Sequence, residues 1–374
     1  MASMLNSIPA VATTTAKAVA EFVPRAVYEA SPSITRSYFL GHHHAALERM
    51  RRILSNVGVV IECRDFRVPL TSWNPLLEQT LSASSDRAHI IVYTKRDLGP
   101  ARQDGGGAIV NRLADFHRAE GRAAASAVLF LGDGADGEAA GGRRRLLEAL
   151  RRTARDRDSL TGTRALVVGM PNAGKSTLLN RLRASGMGKA KAARTGAQPG
   201  VTRKLGTPVR VMPADDELGE GVFVVDTPGV FVPYVGDPES MLKLALVGCV
   251  RDGIVPFVTV ADYLLFHLNR RDPALYARYA AQPTNDVHEF LRGVAARTGR
   301  LAKGGDPDLE AAAQWIVGEW RQGNLGRFIL DEVTPETIAQ ARRTAAEPPL
   351  SMNQARKKEK EARKARQAAK RVAN

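Results

Sequence analysis

Eight residues, Gly169-Met-Pro-Asn-Ala-Gly174-Lys175-Ser176, constrain this chain more than any others. They spell G-x-x-x-x-G-K-S, a loop whose backbone N–H groups close around a phosphate. The apolar run Ala165–Val168 before it reads as a short buried strand, and Thr177–Arg183 after it repeats apolar residues at helical spacing. In that strand–loop–helix setting the loop amides add to the positive end of a helix dipole. Asn172, Ala173, Gly174, Lys175, Ser176 and Thr177 are therefore expected to hold a nucleotide's phosphates. Lys175 would reach the β/γ oxygens, and the Ser176 hydroxyl would be a magnesium ligand.

A phosphate loop does not choose between ATP and GTP. Asp226-Thr-Pro-Gly229 narrows the choice, because it ends the strand-like run Val222–Val225, 51 residues after Lys175. Asp226 is expected on the magnesium side, and the Gly229 N–H against the γ-phosphate. Between the two motifs lies a Gly/Pro/Thr-rich loop, Thr195–Arg203, in which Thr202 is the natural second hydroxyl for magnesium. Such a loop can be ordered by a γ-phosphate and released on hydrolysis. Guanine recognition needs a carboxylate for the base's N–H groups and a lysine over the ring, normally as Asn/Thr-Lys-x-Asp after a strand. Thr94-Lys95-Arg96-Asp97 follows the clear strand His89–Tyr93, although it precedes the phosphate loop. Asn269-Arg270-Arg271-Asp272 stands in the usual order but lacks the lysine and follows a helical pattern, so it reads as a helix end. Thr94, Lys95 and Asp97 are taken as the guanine side. An ATP-dependent kinase would leave both these motifs unexplained. The order guanine motif, phosphate loop, Asp-x-x-Gly is a circular permutation, which a sheet tolerates because domain termini often lie close together.

Six short apolar runs alternate with helical patterns between residues 56 and 225, as in a doubly wound, mostly parallel α/β sheet with its ligand site at the strand C-termini. Beyond residue 250 the pattern turns to amphipathic helices, at 263–268, 287–296, 309–322 and 335–345. The expected fold class is α/β, a circularly permuted P-loop GTPase domain followed by a helical C-terminal domain. The expected divisions are an N-terminal extension over 1–37, the GTPase domain over 38–250, the helical domain over 251–350 and a basic tail over 351–374. Residues 1–37 read either as a mitochondrial transit segment, being rich in Ala, Ser and Thr, or as a disordered extension.

Net charge is +15 with a pI near 10.1, which favours nucleic acid or an anionic surface as partner. Residues 356–371 carry nine Lys/Arg against Glu359 and Glu361, so +7 of the total sits in one short stretch suited to RNA phosphates. A solvated helix end is the alternative for that stretch. Two cysteines, Cys63 and Cys249, give no disulfide framework and point to a reducing compartment. No apolar stretch approaches the 18 residues expected of a transmembrane segment. His42, His43 and His44 are adjacent, and sequence neighbours seldom converge on one metal. A packing or surface role is the default for them, and catalysis the alternative.

The chain resembles the circularly permuted GTPases of ribosome assembly, in particular the branch holding bacterial ribosome biogenesis GTPase A and the mitochondrial ribosome-associated GTPases. The resemblance runs over residues 38–250. It is carried by Tyr38-Phe-Leu-Gly-His42, Glu62-Cys-Arg-Asp-Phe-Arg-Val-Pro69, Thr94–Asp97, Gly169–Thr177, Pro199-Gly-Val-Thr202 and Asp226-Thr-Pro-Gly-Val230. It implies a GTPase that binds an immature large ribosomal subunit and its rRNA in the GTP state and leaves on hydrolysis. It also implies a hydrophobic residue, here Val230, where other GTPases carry a water-orienting glutamine. His42 would then be catalytic, and potassium would be an activating ion held partly by Asn172, beside magnesium. The branch favours the mitochondrial matrix, with peripheral contact at the inner membrane through the basic surface. Two alternatives stay open: a GTP-regulated RNA-binding scaffold with incidental turnover, and a cytosolic or nucleolar large-subunit assembly GTPase. Three departures stand out. Thr94 replaces the commoner Asn, which should weaken a bond tying the guanine loop to the phosphate loop. Leu40 replaces Pro beside His42, and no Ser-Ala-type guanine loop is recognisable near Gly132-Asp133.

Overall fold

A computed structural model describes residues 22–31, 33–34, 48, 50–75, 77, 87–118, 126–132, 137–193, 206–230, 235, 237–346, and positions 354, 357, 360 and 361. Six strands form one sheet: β1 (Val59–Asp65), β2 (Ala88–Thr94), β3 (Ala127–Phe130), β4 (Thr163–Gly169), β5 (Val209–Met212) and β6 (Val222–Asp226). Their spatial order is β3-β2-β1-β4-β6-β5. All neighbours run parallel except β5, which pairs antiparallel with β6 at the edge. Each of the six strand-like runs in the sequence is a strand here.

The near-continuous apolar runs follow from burial on both faces, since alternate residues of a strand point opposite ways. Val59, Ile61, Cys63, Ala165 and Val167 face one layer, formed by α2 (Gly137–Arg157) and α3 (Lys175–Met187) through Leu146, Leu150, Leu178 and Leu182. Val60, Leu166, Val168 and Val225 face the other layer, with Met50, Leu54 and Leu77. On the same side, Phe66, Ile91 and Tyr93 pack with Leu113 of α1 (Gly107–Arg118).

The C-terminal helices are α4 (Pro238–Leu246), α5 (Phe257–Arg271), α6 (Val287–Thr298), α7 (Leu309–Arg321) and α8 (Pro335–Ala346). Helices α4 to α7 share one large core that also takes in Val68 and Met170 from the sheet's loops. Asp237, Asp286 and Asp308 cap α4, α6 and α7 by accepting from backbone N–H groups of the first turn. Asn269–Asp272 is a helix end: Asn269 donates to the Thr284 carbonyl at 2.8 Å, and Asp272 accepts from Ala274 N–H. Helix α8 returns to the sheet side, where Ala345 meets Trp73 and Phe116, and Arg342 donates to the Phe116 carbonyl at 2.7 Å.

The described part of the N-terminal stretch packs on the helical region. Residues 22–31 lie along α5, with Arg25 on Asp262 at 2.7 and 3.2 Å. Tyr28 packs edge-on to Tyr263 with centroids 5.0 Å apart, and Asn285 donates to the Val23 carbonyl at 2.9 Å.

Candidate nucleotide site

β4 runs out at Gly169 and the chain turns through Asn172 and Gly174, both at positive φ (55° and 81°), before α3 begins at Lys175. Gly174 is required twice over: by its left-handed backbone, and because a Cβ there would lie 3.3 Å from the Thr94 side chain. Lys175 is buried, and its ammonium donates to the Met170 carbonyl at 2.7 Å and the Gly169 carbonyl at 3.3 Å. Burial pushes its pKa down, and the Asp226 carboxylate pulls in the opposite direction. A buried cation held only by carbonyls is poised for a stronger acceptor, and phosphate oxygens supply it.

Asp226 ends β6 directly beside β4, in register with Val167. The Ser176 hydroxyl donates to its carboxylate at 2.5 Å. The two hard-oxygen donors expected for magnesium are therefore adjacent, a set that suits an ion keeping most of its waters and taking phosphate oxygens. Thr227 is fully buried, and its hydroxyl donates to the Val167 carbonyl at 2.7 Å, which fixes the start of the Asp-x-x-Gly turn. At Gly229 a Cβ would fall 2.5 Å from the Pro171 backbone, so only glycine lets this turn lie on the phosphate loop. Val230 N–H donates to the Gly169 carbonyl at 3.1 Å, and its side chain is fully buried.

The guanine-side motif reaches the same rim from β2. Thr94 directs its hydroxyl to the Ala173 carbonyl at 3.0 Å and the Arg64 carbonyl at 3.2 Å. The threonine hydroxyl, though shorter than an asparagine amide, reaches from the guanine side to the phosphate loop. Lys95 takes a left-handed conformation and donates to Asp65 and to the Asn172 carbonyl, both at 2.8 Å. Asp97 lies in the following turn against Gly132, where an added Cβ would stand 3.1 Å from it. Gly132, just after β3, thus lies beside the guanine-side motif. Arg96 N–H joins the two segments by donating to the Leu131 carbonyl at 3.0 Å.

Thr94, Lys95, Asp97, Asn172, Ala173, Gly174, Lys175, Ser176, Thr177, Asp226 and Gly229 are brought to one edge of the sheet. His42 and Thr202 lie outside the described residues. Sequence reading gave no role to Asp65 and Arg67. Asp65 is fully buried and accepts from Lys95 and from Arg67, whose guanidinium bonds it at 3.0 and 2.8 Å. Burial alone would raise the Asp65 carboxyl, but Arg67 and then Lys95 more than offset it and hold it well below the usual carboxylate range. Arg67 also donates to the carbonyls of Val247 at 3.2 Å and Arg321 at 3.4 Å, while Asn172 donates to Gly248 at 2.8 Å. The nucleotide rim is thereby wired to the ends of α4 and α7. The signal was present in the sequence: opposite charges at the end of an otherwise apolar strand must be paired when buried.

A mostly parallel sheet that sets a guanine-side Thr-Lys-x-Asp, a phosphate loop and an Asp-x-x-Gly turn on one rim, in that chain order, defines a circularly permuted P-loop GTPase. A family model described as 50S ribosome-binding GTPase matches residues 164–286. The match opens at β4, so the guanine-side strand lies outside it, as the permuted order entails. Mitochondrial GTPase 1 of Schizosaccharomyces pombe is 38% identical over 83% of this chain and 94% of its own length. Mitochondrial ribosome-associated GTPase 1 of Mus musculus is 33% identical over 79% of this chain and 89% of its own. The chain belongs to this mitochondrial GTPase 1 family, and it hydrolyses GTP. The crystal structure of GNP-bound YlqF from T. maritima is similar at 24% identity, with a TM-score of 0.47, over 77% of this chain and 98% of that one.

Proposed function

We propose that this GTPase is an assembly factor for the large subunit of the mitochondrial ribosome. It binds the immature particle and its rRNA in the GTP state and leaves on hydrolysis. The observation that carries this reading is Val230. A fully buried aliphatic side chain, pinned by its N–H to Gly169, stands where a glutamine would orient the attacking water. Lys175, Ser176, Asp226 and Gly229 lie along the same rim, which supports their reading as a phosphate side. Such a site binds GTP and turns it over slowly until something else positions the water, which suits a checkpoint triggered by its partner. The name of the mouse relative, ribosome-associated, supports a ribosomal partner.

The residue roles follow from this reading. Lys175 and the loop amides neutralise the β/γ-phosphates. Ser176 and Asp226, with Thr202, would hold magnesium, which would supply charge neutralisation for the phosphates. Lys95 and Asp97 select guanine, and Asp65 keeps Lys95 aimed at the base. His42 orients water, and the Asn172 amide oxygen contributes to a potassium site beside the γ-phosphate, where a cation stabilises developing charge. The protein works in the mitochondrial matrix and touches the inner membrane peripherally through its basic surface. No helix among the described residues is long and apolar enough to cross a membrane. The test is GTP hydrolysis in potassium buffer with and without purified mitochondrial large subunits. A rise of many fold on adding subunits is expected. A flat rate with tight subunit binding would instead make the chain a scaffold that GTP merely shapes.

A further inference from the structure

Helix α2 has a division of charge that nucleotide chemistry does not use. From Arg143 to Arg164 the chain carries eight arginines and no lysine, against Glu148, Asp156 and Asp158. Leu146, Leu150 and Ala154 bury the helix's inner side on the sheet beside the phosphate-loop helix. The arginines of the outer side fall into two groups. Arg151 and Arg155 lean onto the β5–β6 turn: Arg151 lies 3.3 Å from Asp215, and Arg155 bonds Glu217. Among the described residues, Arg144, Arg145 and Arg152 form no ion pair with that turn. Arg145 and Arg152 are exposed and pair with no described residue. Arg144 is 79% exposed, with Glu148 a distant 3.7 Å off.

Positions 144 and 151, and likewise 145 and 152, are seven residues apart, so all four share one face of a helix rising about 1.5 Å per residue. The face carries Glu148 four residues after Arg144 and Asp156 four after Arg152, yet Arg144 with Arg145, and Arg151 with Arg152, set like charges side by side, and each is the planar guanidinium that binds phosphate through two parallel N–H bonds.

We propose that the outer face of α2, through Arg144, Arg145 and Arg152, is an RNA-backbone contact of this protein. It grips phosphates on the same particle that the nucleotide site answers to, so the inference rests on the ribosomal reading above. The face lies on the helix packed against α3, whose first turn is the phosphate site, so RNA held there sits one helix away from the nucleotide.

The experiment uses the full chain with Arg144→Gln, Arg145→Gln and Arg152→Gln combined. All three are surface changes outside the nucleotide site, so thermal stability and basal GTP hydrolysis are expected to stay at parental values. Binding to purified mitochondrial large subunits is measured over a series of KCl concentrations. Loss of three phosphate contacts should weaken binding at least about tenfold at moderate salt and flatten the log–log salt slope by about two to three. Parental affinity and slope in the variant would overturn the inference and leave the ribosomal reading standing. Failure of the parent chain itself to bind subunits would overturn both. Loss of binding to cardiolipin-containing vesicles, with subunit binding unchanged, would reassign the face to a membrane and overturn the RNA contact.

Discussion

Replacing Arg67 with methionine removes the charge that Asp65 faces and keeps much of the apolar stem that lies against Trp320, whose ring is 5.1 Å from the guanidinium carbon. The side chains of Asp65 and Arg67 are 0% and 2% exposed. Deleting one partner of such a pair costs about 3–5 kcal/mol, because the other charge stays buried. Lys95 still reaches Asp65 at 2.8 Å and is 18% exposed, so the loss should fall at the low end, about 3 kcal/mol. For a chain of this length that lowers Tm by about 4 °C. The pH dependence carries a further sign. A carboxylate held low in the fold adds stability above its unfolded pKa of about 3.9, and that stability is lost as pH falls through the folded value. Without Arg67 the folded value of Asp65 rises, so the deficit is full at neutral pH and shrinks as acid protonates the group in the variant. Far-UV circular dichroism melts of both proteins at pH 7.5 and 4.5 measure it. A drop under about 2 °C at pH 7.5, or a gap that does not narrow at pH 4.5, would refute the reasoning. A double variant that also carries Asp65→Asn should lose less than Arg67→Met alone.

Three other outcomes are expected. Lys175→Ala leaves the β/γ-phosphates without their buried cation, so GTP hydrolysis should fall by at least about a hundredfold, measured as phosphate release. Gly229→Ala drives a Cβ into the Pro171 backbone, so affinity for a non-hydrolysable GTP analogue should fall more than affinity for GDP in titration calorimetry; equal losses would disprove a γ-phosphate role for the turn. Exchanging potassium for sodium at constant ionic strength should slow subunit-stimulated hydrolysis severalfold, and Asn172→Ala should abolish that difference.

Much of the fold was legible because its signals are local. The six strands announced themselves as short apolar runs bounded by loops, and the C-terminal helices by their 3.6-residue period. The phosphate loop and the Asp226 turn were legible because their chemistry demands particular residues at fixed spacing. What escaped depends on contacts distant in sequence. Arg67 meets carbonyls at 247 and 321, a pairing that no window of neighbouring residues encodes. How far the Thr94 hydroxyl must reach depends on how near Ala173 comes, a property of the fold. The place of residues 22–31 likewise rests on distant contacts, with the rings and carboxylate of α5.

That last contact fixes where the folded unit starts. A chain trimmed at residue 20 keeps Arg25 and Tyr28, whereas one trimmed at residue 34 strips cover from Tyr263 and Phe266 and takes from Asp262 its guanidinium. Residues 23–28 therefore belong to the folded unit, although they stand well over a hundred residues before the phosphate loop in the chain.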